Sequence, residues 1–313
     1  MFNIDLNFFP GWTRKSMTFT IDDGNITLDK KFISYVEPGG FKGTFNLTTP
    51  LRYQAPKNEQ HDFYRSLYAG YEIGNHCRYH AYPFTTDRTV NIKNELFNKE
   101  TADRNYGYLT DEKGLYRIYT YSWTYLADDE KFMECVDSCQ KELEEIFGKG
   151  KIKGFIWPCG EHKNSVVFQR LREYGFQSIR KTGCLGDSNG FALPPDRMRW
   201  SYNANWSNLR EAGKLYEMYP DDGRLKFFCF GVHSHDFENN NCWDVLKEFV
   251  DSYGNRPETF WYASVGDIMD YEDAVKRAII NDKEIRNPSG IDLFIKINGK
   301  REILHKNSSI ILV

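Results

Sequence analysis

Two adjacent carboxylates and two histidines have the types and the spacing of a metal-assisted hydrolase. Asp22 and Asp23 stand where a β-rich run ends, and His76 and His80 follow a second apolar run, four residues apart. One carboxylate and two imidazoles form a facial ligand set for a divalent ion, and they leave coordination positions open for water and substrate. The other carboxylate is then free to act as a base on the attacking water.

The joint occurrence of these two patterns indicates a metal site, although each alone is common by chance. A spacing of four residues puts His76 and His80 on one face of a helical turn, so we expect both imidazoles to reach one ion. Neighbouring residues at the end of a strand point in opposite directions. Asp22 and Asp23 are therefore expected to have separate roles.

Composition and charge exclude several classes of function. The formal net charge is −3, with 40% hydrophobic and 27% charged residues, which is typical of a globular protein and gives no basic surface for nucleic acid. No apolar run is long enough for a transmembrane helix. The seven cysteines form no CxxC pair, and the N-terminus lacks the pattern of a signal peptide. We therefore predict reduced thiols and a cytoplasmic protein.

The order of apolar runs predicts an α/β fold. Eight strand-like runs lie at residues 17–21, 42–48, 71–75, 154–157, 176–180, 198–202, 226–232 and 259–263. Helical periodicity is found at 59–69, 128–147, 165–174, 208–216, 242–253 and 266–280. Such alternation favours a complete or distorted (β/α)7–8 barrel, in which catalytic groups collect at the carboxyl ends of the strands.

Two regions depart from this alternation. Residues 81–125 form an aromatic-rich insertion that alternates in part like a hairpin. After residue 281 the pattern changes to short β runs around the turn Asn298-Gly299. We therefore predict a barrel domain over residues 1–281 and a small antiparallel β appendage over 282–313.

Two motifs resemble those of a known family. Residues 20–24, Thr-Ile-Asp-Asp-Gly, resemble the first motif of the NodB-like polysaccharide deacetylases (carbohydrate esterase family 4), usually T-F-D-D-G. Residues 72–80, Glu-Ile-Gly-Asn-His-Cys-Arg-Tyr-His, resemble the second, E-I-G-N-H-[ST]-x-x-H. The resemblance implies a distorted (β/α) barrel that removes N- or O-acetyl groups from sugars with one divalent metal ion.

The resemblance also implies a role for each residue of the two motifs. Asp22 corresponds to the general base, and Asp23, His76 and His80 correspond to the metal ligands. Zn²⁺ is the expected ion, and the donor set also suits Co²⁺, Ni²⁺ and Mn²⁺. Cys77 stands where the family has Ser or Thr, and we interpret its thiol as a packing group rather than a fourth ligand.

The third family motif, R-x-P-Y-G, is present without its arginine. It is found at residues 155–160 as Phe-Ile-Trp-Pro-Cys-Gly, where the backbone N–H of Cys159 would hold the oxyanion. Arg180, at the end of a neighbouring strand, is either a substitute for the missing arginine or a surface residue. Trp157 and Pro158 are further candidates for support of the site or for the substrate pocket.

The last family motif supplies a general acid. His233 is the first polar residue after a buried strand, and we assign it to protonation of the leaving nitrogen, with His235 in reserve. Asp236 either orients an imidazole or caps the next helix. Trp200 and Trp206 are candidates for lining the acetyl pocket, although we favour ordinary packing as the role of each.

These observations predict a metal-dependent deacetylase whose partner is an acetylated saccharide. One alternative is an amidase or deformylase acting on a small amide or nucleotide sugar, because the insertion at 81–125 could cap the site. Another is a non-catalytic sugar-binding protein on a degenerate scaffold, because the motif arginine is missing. The sequence leaves the oligomeric state open.

Overall fold

Eight parallel strands form the centre of the molecule, a computed structural model that describes residues 2–51, 56–83, 96–97, 108–109, 116–117, 126–161, 165–184 and 190–312. Each strand corresponds to one of the eight predicted runs. In chain order they are β1 Lys15–Asp23, β2 Gly43–Thr49, β3 Glu72–Arg78, β4 Gly154–Ile156, β5 Ser178–Cys184, β6 Trp200–Tyr202, β7 Lys226–His233 and β8 Phe260–Tyr262.

The strands form one curled parallel sheet in the order β6-β5-β4-β3-β2-β1-β7. Strand β8 pairs with the start of β1, and β2 pairs with its end. A single parallel bridge between Ala204 and Phe230 joins the two ends of the sheet. The predicted distorted (β/α) barrel is thereby confirmed, and the carboxyl ends of β1, β3 and β7 lie at the same mouth.

Helices cover the outside of this sheet. They are α1 Ile26–Val36, α2 Lys57–Leu67, α3 Asp129–Phe147, α4 Ser165–Tyr174, α5 Leu209–Met218, α6 Ser234–Asn239, α7 Trp243–Tyr253 and α8 Val265–Arg277. Two single turns of 3-10 helix lie at Pro10–Trp12 and Glu37–Gly39. Among the helices of the described residues, α1 and α6 were not predicted, whereas the others follow the predicted periodicity.

Helix α1 directly follows the paired aspartates. Asn25 caps its first turn, since the side-chain oxygen accepts a hydrogen bond from the Leu28 N–H at 3.3 Å. Its inner face buries Phe32, whose ring contacts Phe19 of β1 edge-on at a centroid distance of 5.0 Å. This packing holds the end of β1, and with it Asp22 and Asp23, against the core.

Antiparallel sheets lie outside the barrel, as predicted for the C-terminal region. Leu293–Ile297 pairs with Lys300–Leu304 across the Asn298-Gly299 turn, and Glu284–Asn287 pairs with Ile279–Ile280 and Ser308–Ile311. Ile4–Phe8 adds to the first of these sheets through Leu293–Ile297, which the sequence did not predict. The domain boundary at residues 281/282 stays a prediction.

Only parts of the predicted insertion belong to the described residues. Tyr82–Pro83 pairs with Leu126–Ala127, and Tyr116–Arg117 pairs antiparallel with Leu96–Phe97 and Tyr108–Leu109. The rest of the hairpin predicted within residues 81–125 lies outside the described residues. Among the helices that the structure describes, none combines the length and apolar character needed to cross a membrane.

Candidate functional site

Three side chains from two strand ends converge on one point at the mouth of the barrel. Asp23 ends β1 with a left-handed backbone, φ 79°. The Oδ1 atom of Asp23 lies 3.4 Å from Nε2 of His76 and 3.7 Å from Nε2 of His80. The sequence-predicted ligand residues are therefore neighbours in the structure.

The two histidines reach this point by a route other than the predicted helical turn. His76 lies within β3, and His80 lies in the turn that follows it, with left-handed backbone at Cys77, Tyr79 and His80. The interpretation of the HxxxH spacing as one face of a helix is thus wrong. The tight turn after the strand, rather than helical periodicity, brings the second imidazole back over the first, with ring centroids 4.9 Å apart.

The side chain of Asn75 stabilises this turn. Its Oδ1 accepts a hydrogen bond from the Cys77 N–H at 2.9 Å, and its Nδ2 donates to the carbonyl of Val136 at 3.1 Å. Cys77 itself is buried in an apolar cluster, and burial raises the pKa of its thiol. This agrees with packing as the role of Cys77.

The donor atoms of Asp23, His76 and His80 fit a divalent cation. His76 Nδ1 lies 3.0 Å from the carbonyl of Ile156, which can only accept, so Nδ1 carries the proton and Nε2 presents its lone pair. Ligands about 2.1 Å from a common ion in tetrahedral arrangement are about 3.4 Å apart, close to the separations seen here. Oδ1 of Asp23 is buried without a hydrogen bond from any described residue, as expected of a ligand atom.

Asp22 is held by a different set of partners. It is 5% exposed, and its carboxylate accepts two hydrogen bonds from Nη2 of Arg180, the one to Oδ1 being 2.5 Å long. Asn46, its register partner on β2, donates from Nδ2 to Oδ1 at 2.8 Å. Burial has the largest single effect on the pKa of Asp22 and raises it, but the charges of Arg180, His76 and His233 together keep the pKa below its usual value.

Arg180 comes from the strand next to the incomplete third motif. It is 1% exposed and lies opposite Ile156 in the register of β4 and β5. The surface alternative for this residue is therefore wrong, because the side chain is buried against Asp22. Sequence reasoning missed Asn46, whose signal is an amide side chain in the otherwise apolar run Phe45 to Leu47.

His233 ends β7 beside β1, directly opposite Asp22 in the register. Its Nε2 lies 3.9 Å from Oδ2 of Asp23, and its Nδ1 lies 3.1 Å from Oδ2 of Asp236. Burial lowers the pKa of His233, but the charge of Asp23, the hydrogen bond with Asp236 and the charge of Asp22 together raise the pKa to about 9. At His80, burial outweighs the charges of Asp23 and Asp22 and lowers the pKa to about 4.

Asp236 contacts the His233 imidazole, as one predicted alternative had it, but it lies inside α6, whose N-cap is His233, rather than before a helix. It is the third residue of α6 and accepts a hydrogen bond from the His233 N–H at 3.0 Å. His235 lies in the first turn of α6, where its ring stacks on that of His233 at a centroid distance of 4.7 Å. Because β7 ends at His233, His235 does not continue the strand face as the sequence suggested.

The remaining candidates lie around or below this mouth. Cys159 has a left-handed backbone, φ 55°, in the turn after β4, and its exposed Sγ lies 3.9 Å from Nδ1 of His80. Pro158 precedes it in the same turn and is buried. Trp157 is fully buried against Phe132, so it is not available to line a pocket.

The other two tryptophan candidates, Trp200 and Trp206, also pack into the core. Trp200 is 3% exposed and contacts Phe227 in the cluster between the barrel and the antiparallel sheets. Trp206 is partly buried against the main cluster. The structure therefore brings none of Trp157, Trp200 and Trp206 into hydrogen-bond contact with Asp22, Asp23 or His233 among the contacts of the described residues.

Comparison with known proteins places this chain in a family. The family model described as Polysaccharide deacetylase matches residues 11–179, just over half of the chain. No curated protein matches the sequence.

Solved structures of similar fold include three bacterial enzymes. A polysaccharide deacetylase from Bacillus cereus is 13% identical, with a TM-score of 0.41 over 80% of this chain and 92% of that one. A family 4 carbohydrate esterase from Bacillus anthracis is 13% identical, with a TM-score of 0.43 over 85% and 88%. A family 4 acetyl xylan esterase from Clostridium thermocellum is 12% identical, with a TM-score of 0.42 over 83% and 92%. With the family model matched over residues 11–179, which include both aspartates, His76 and His80, the chain belongs to the NodB-like polysaccharide deacetylase family, carbohydrate esterase family 4.

Proposed function

We propose that this protein is a metal-dependent hydrolase that removes the acetyl group from an N-acetylated, or O-acetylated, saccharide. The observation that carries the proposal is the convergence of Asp23, His76 and His80 beside an ion-paired Asp22. A carboxylate and two imidazoles with open positions on one side are suited to hydrolysis rather than to a closed structural site.

The ligand residues would be Asp23, His76 and His80, and Zn²⁺ is the ion that we propose, with Co²⁺, Ni²⁺ and Mn²⁺ as substitutes. When bound, a divalent ion supplies Lewis acidity toward the acyl oxygen and the attacking water. The hydrogen bond from Nδ1 of His76 to the Ile156 carbonyl fixes the ring so that Nε2 faces Asp23.

Two further residues would move the protons. Asp22, kept ionised by Arg180, accepts a proton from the attacking water. His233 carries a proton at neutral pH and donates it from Nε2 to the leaving nitrogen or oxygen, while Asp236 holds Nδ1. The backbone N–H of Cys159 is our candidate for the oxyanion donor.

Acetate release from N-acetylated hexosamine oligomers tests this proposal, with Asp22→Asn as the key variant. The amide keeps the size of the side chain but cannot accept the proton, so we expect kcat to fall by about 10²-fold or more while the metal content stays unchanged. Asp273→Asn is the matched control, because Asp273 is a surface carboxylate paired with Arg197. Equal and negligible release by the wild type and both variants over a panel of N- and O-acetylated saccharides would contradict the proposal.

No contact among the described residues favours either alternative function. The amidase alternative depends on an insertion that lies mostly outside the described residues. The sugar-binding alternative was based on the missing motif arginine. Arg180 donates hydrogen bonds to the carboxylate of Asp22, so the absence of that arginine is a weaker argument for a non-catalytic protein. The cytoplasmic location predicted from the cysteines stays a prediction.

A further inference from the structure

One row of residues crosses the sheet at the level of the site. The parallel register places His233 opposite Asp22, Asp22 opposite Asn46, and Asn46 opposite Gly74. Residues paired in this way on neighbouring strands point to the same face of the sheet. Asn46 is fully buried between the proposed base and a position that has no side chain, and the chemistry described so far gives it no part.

Two hydrogen bonds fix the orientation of the Asn46 amide. Its Nδ2 donates to Oδ1 of Asp22 at 2.8 Å and to Oγ1 of Thr20 at 2.7 Å. An ionised carboxylate can only accept, so the amide nitrogen, and not the amide oxygen, has to face Asp22. Both hydrogens of Nδ2 are thus used on side chains of β1, and the amide is held against the end of that strand.

Gly74 leaves space for the other end of the same amide. A Cβ atom at position 74 would lie 2.3 Å from Oδ1 of Asn46. This oxygen is buried and accepts no hydrogen bond from the described residues. An unpaired buried oxygen costs free energy that an apolar side chain would not. Packing therefore does not account for an amide at position 46, whereas its donor group does.

The two oxygens of the Asp22 carboxylate differ in their partners. Oδ1 accepts from Asn46 and from Nη2 of Arg180, whereas Oδ2 accepts from Arg180 alone among the described residues. Each carboxylate oxygen has two lone pairs, so both are used on Oδ1 and one stays free on Oδ2. Arg180 bonds both oxygens through one nitrogen and does not distinguish them. The Asn46 amide is the group that makes them unequal.

We propose that Asn46 is a positioning residue that engages Oδ1 of Asp22 and so leaves Oδ2 as the atom that takes the proton from the attacking water; this inference rests on the function proposed above. The O–H bond of the water breaks as its oxygen attacks the acyl carbon, and the proton passes to the free lone pair of Oδ2. Asn46 takes no proton itself. Its effect on the rate passes through the orientation of the carboxylate, to which proton transfer is sensitive.

The test uses Asn46→Ala and Asn46→Val, which both lack the donor, in steady-state kinetics on an acetylated hexosamine oligomer. We expect kcat to fall about tenfold in each, with KM within about twofold. Valine suits a strand and fills more of the space than alanine, so a loss shared by both comes from the missing amide rather than from a cavity. Thr18→Val is the matched control, because it removes a hydrogen bond from a buried side chain to the Lys42 carbonyl. Its kcat should stay within about twofold.

The same substitution in an Asp22→Asn background shows whether the effect passes through Asp22. There Asn46→Ala should change the residual kcat by less than about twofold, because the proton acceptor is already absent. Urea unfolding gives a readout that does not depend on turnover. Asn46→Ala should destabilise the Asp22→Asn protein less than the wild type, since a hydrogen bond to a charged acceptor is the stronger one. Thr18→Val should destabilise both backgrounds equally.

Several outcomes would overturn the inference. Unchanged kcat in Asn46→Ala, or a loss that Asn46→Val does not share, contradicts the positioning role, and so does a tenfold loss that persists in the Asp22→Asn background. If the wild type releases no acetate, the proposed function fails by itself. Equal destabilisation of the two backgrounds by Asn46→Ala overturns the contact between Asn46 and Asp22, whatever the activity.

Discussion

Removal of the Arg180 guanidinium, which donates hydrogen bonds to Asp22, is the substitution expected to have the largest effect on stability and catalytic rate. Arg180→Met keeps the length and the apolar stem of the side chain. Among the described residues it leaves Asp22, at 5% exposure, with only the hydrogen bond from Asn46. Breaking a buried ion pair by removing one partner costs about 3–5 kcal/mol, because an unpaired buried charge remains. We therefore expect the free energy of unfolding of Arg180→Met to fall by about this amount at pH 8.

The same substitution should change the catalytic rate and its pH dependence. Arg180 is the main charge that lowers the pKa of Asp22 against the effect of burial. Without it, the pKa rises and Asp22 is protonated over a wider range, so the acidic limb of the kcat/KM profile moves to higher pH. We expect kcat/KM at pH 6 to fall by about 10²-fold or more, with a smaller loss at pH 9.

Acetate release and urea unfolding are the assays, and Arg197→Met is the matched control. Arg197 pairs with two carboxylates, Asp270 and Asp273, on the outer surface. Its loss should cost about 1 kcal/mol or less and leave the pH profile in place. The reasoning is refuted if Arg180→Met and Arg197→Met show the same kcat/KM at every pH.

Three further results are expected. His233→Ala should lower kcat by about 10²-fold, whereas His235→Ala should keep it within about fivefold; equal losses in the two would contradict the assignment of the acid. Iodoacetamide should alkylate Cys159, exposed beside His80, and lower acetate release about tenfold, and Cys159→Ser should resist it. Burial raises the pKa of Asp29 in the folded state from 3.8 to about 7. Between these two pH values the folded state holds a proton that the unfolded state has released, so the free energy of unfolding falls as the pH rises from 3.8 to about 7. Between pH 5 and pH 8.5 the wild type should lose about 3 kcal/mol of unfolding free energy that Asp29→Asn retains, as measured by urea titration; an equal loss in both would contradict this origin.

The barrel could be predicted because its strands are short apolar runs between amphipathic helices. Each of the eight runs became a strand, and the carboxyl ends of β1 and β7 brought Asp22 and His233 together as parallel register requires. Helix α1 was missed although Asn25 caps it and Phe32, Ile33 and Val36 form its buried face. Its first residues follow Asp22-Asp23-Gly24, a sequence that is also typical of a turn.

The spacing of residues along the sequence did not predict the finer arrangement of the site. The left-handed residues at the end of β3 and after it depend on two hydrogen bonds, from the Cys77 N–H to Oδ1 of Asn75 and from Nδ2 of Asn75 to the Val136 carbonyl of α3. Neither bond produces a periodic pattern in the sequence. Arg180 and Asn46 reach Asp22 from two other strands, so their contact is set by strand order and register alone. The burial of Asp29 has a recognisable sequence pattern, because this carboxylate lies on the apolar face of a helix.

The central claim is that Asp23, His76 and His80 hold the ion on which deacetylation depends. The most direct measurement removes metal with a chelator and titrates Zn²⁺ back while acetate release from an N-acetylated hexosamine oligomer is recorded. The account predicts that the rate is lost with the metal and returns in proportion to added ion, up to about one equivalent per chain. A metal-free protein, verified by elemental analysis, that releases acetate at the full rate would contradict it.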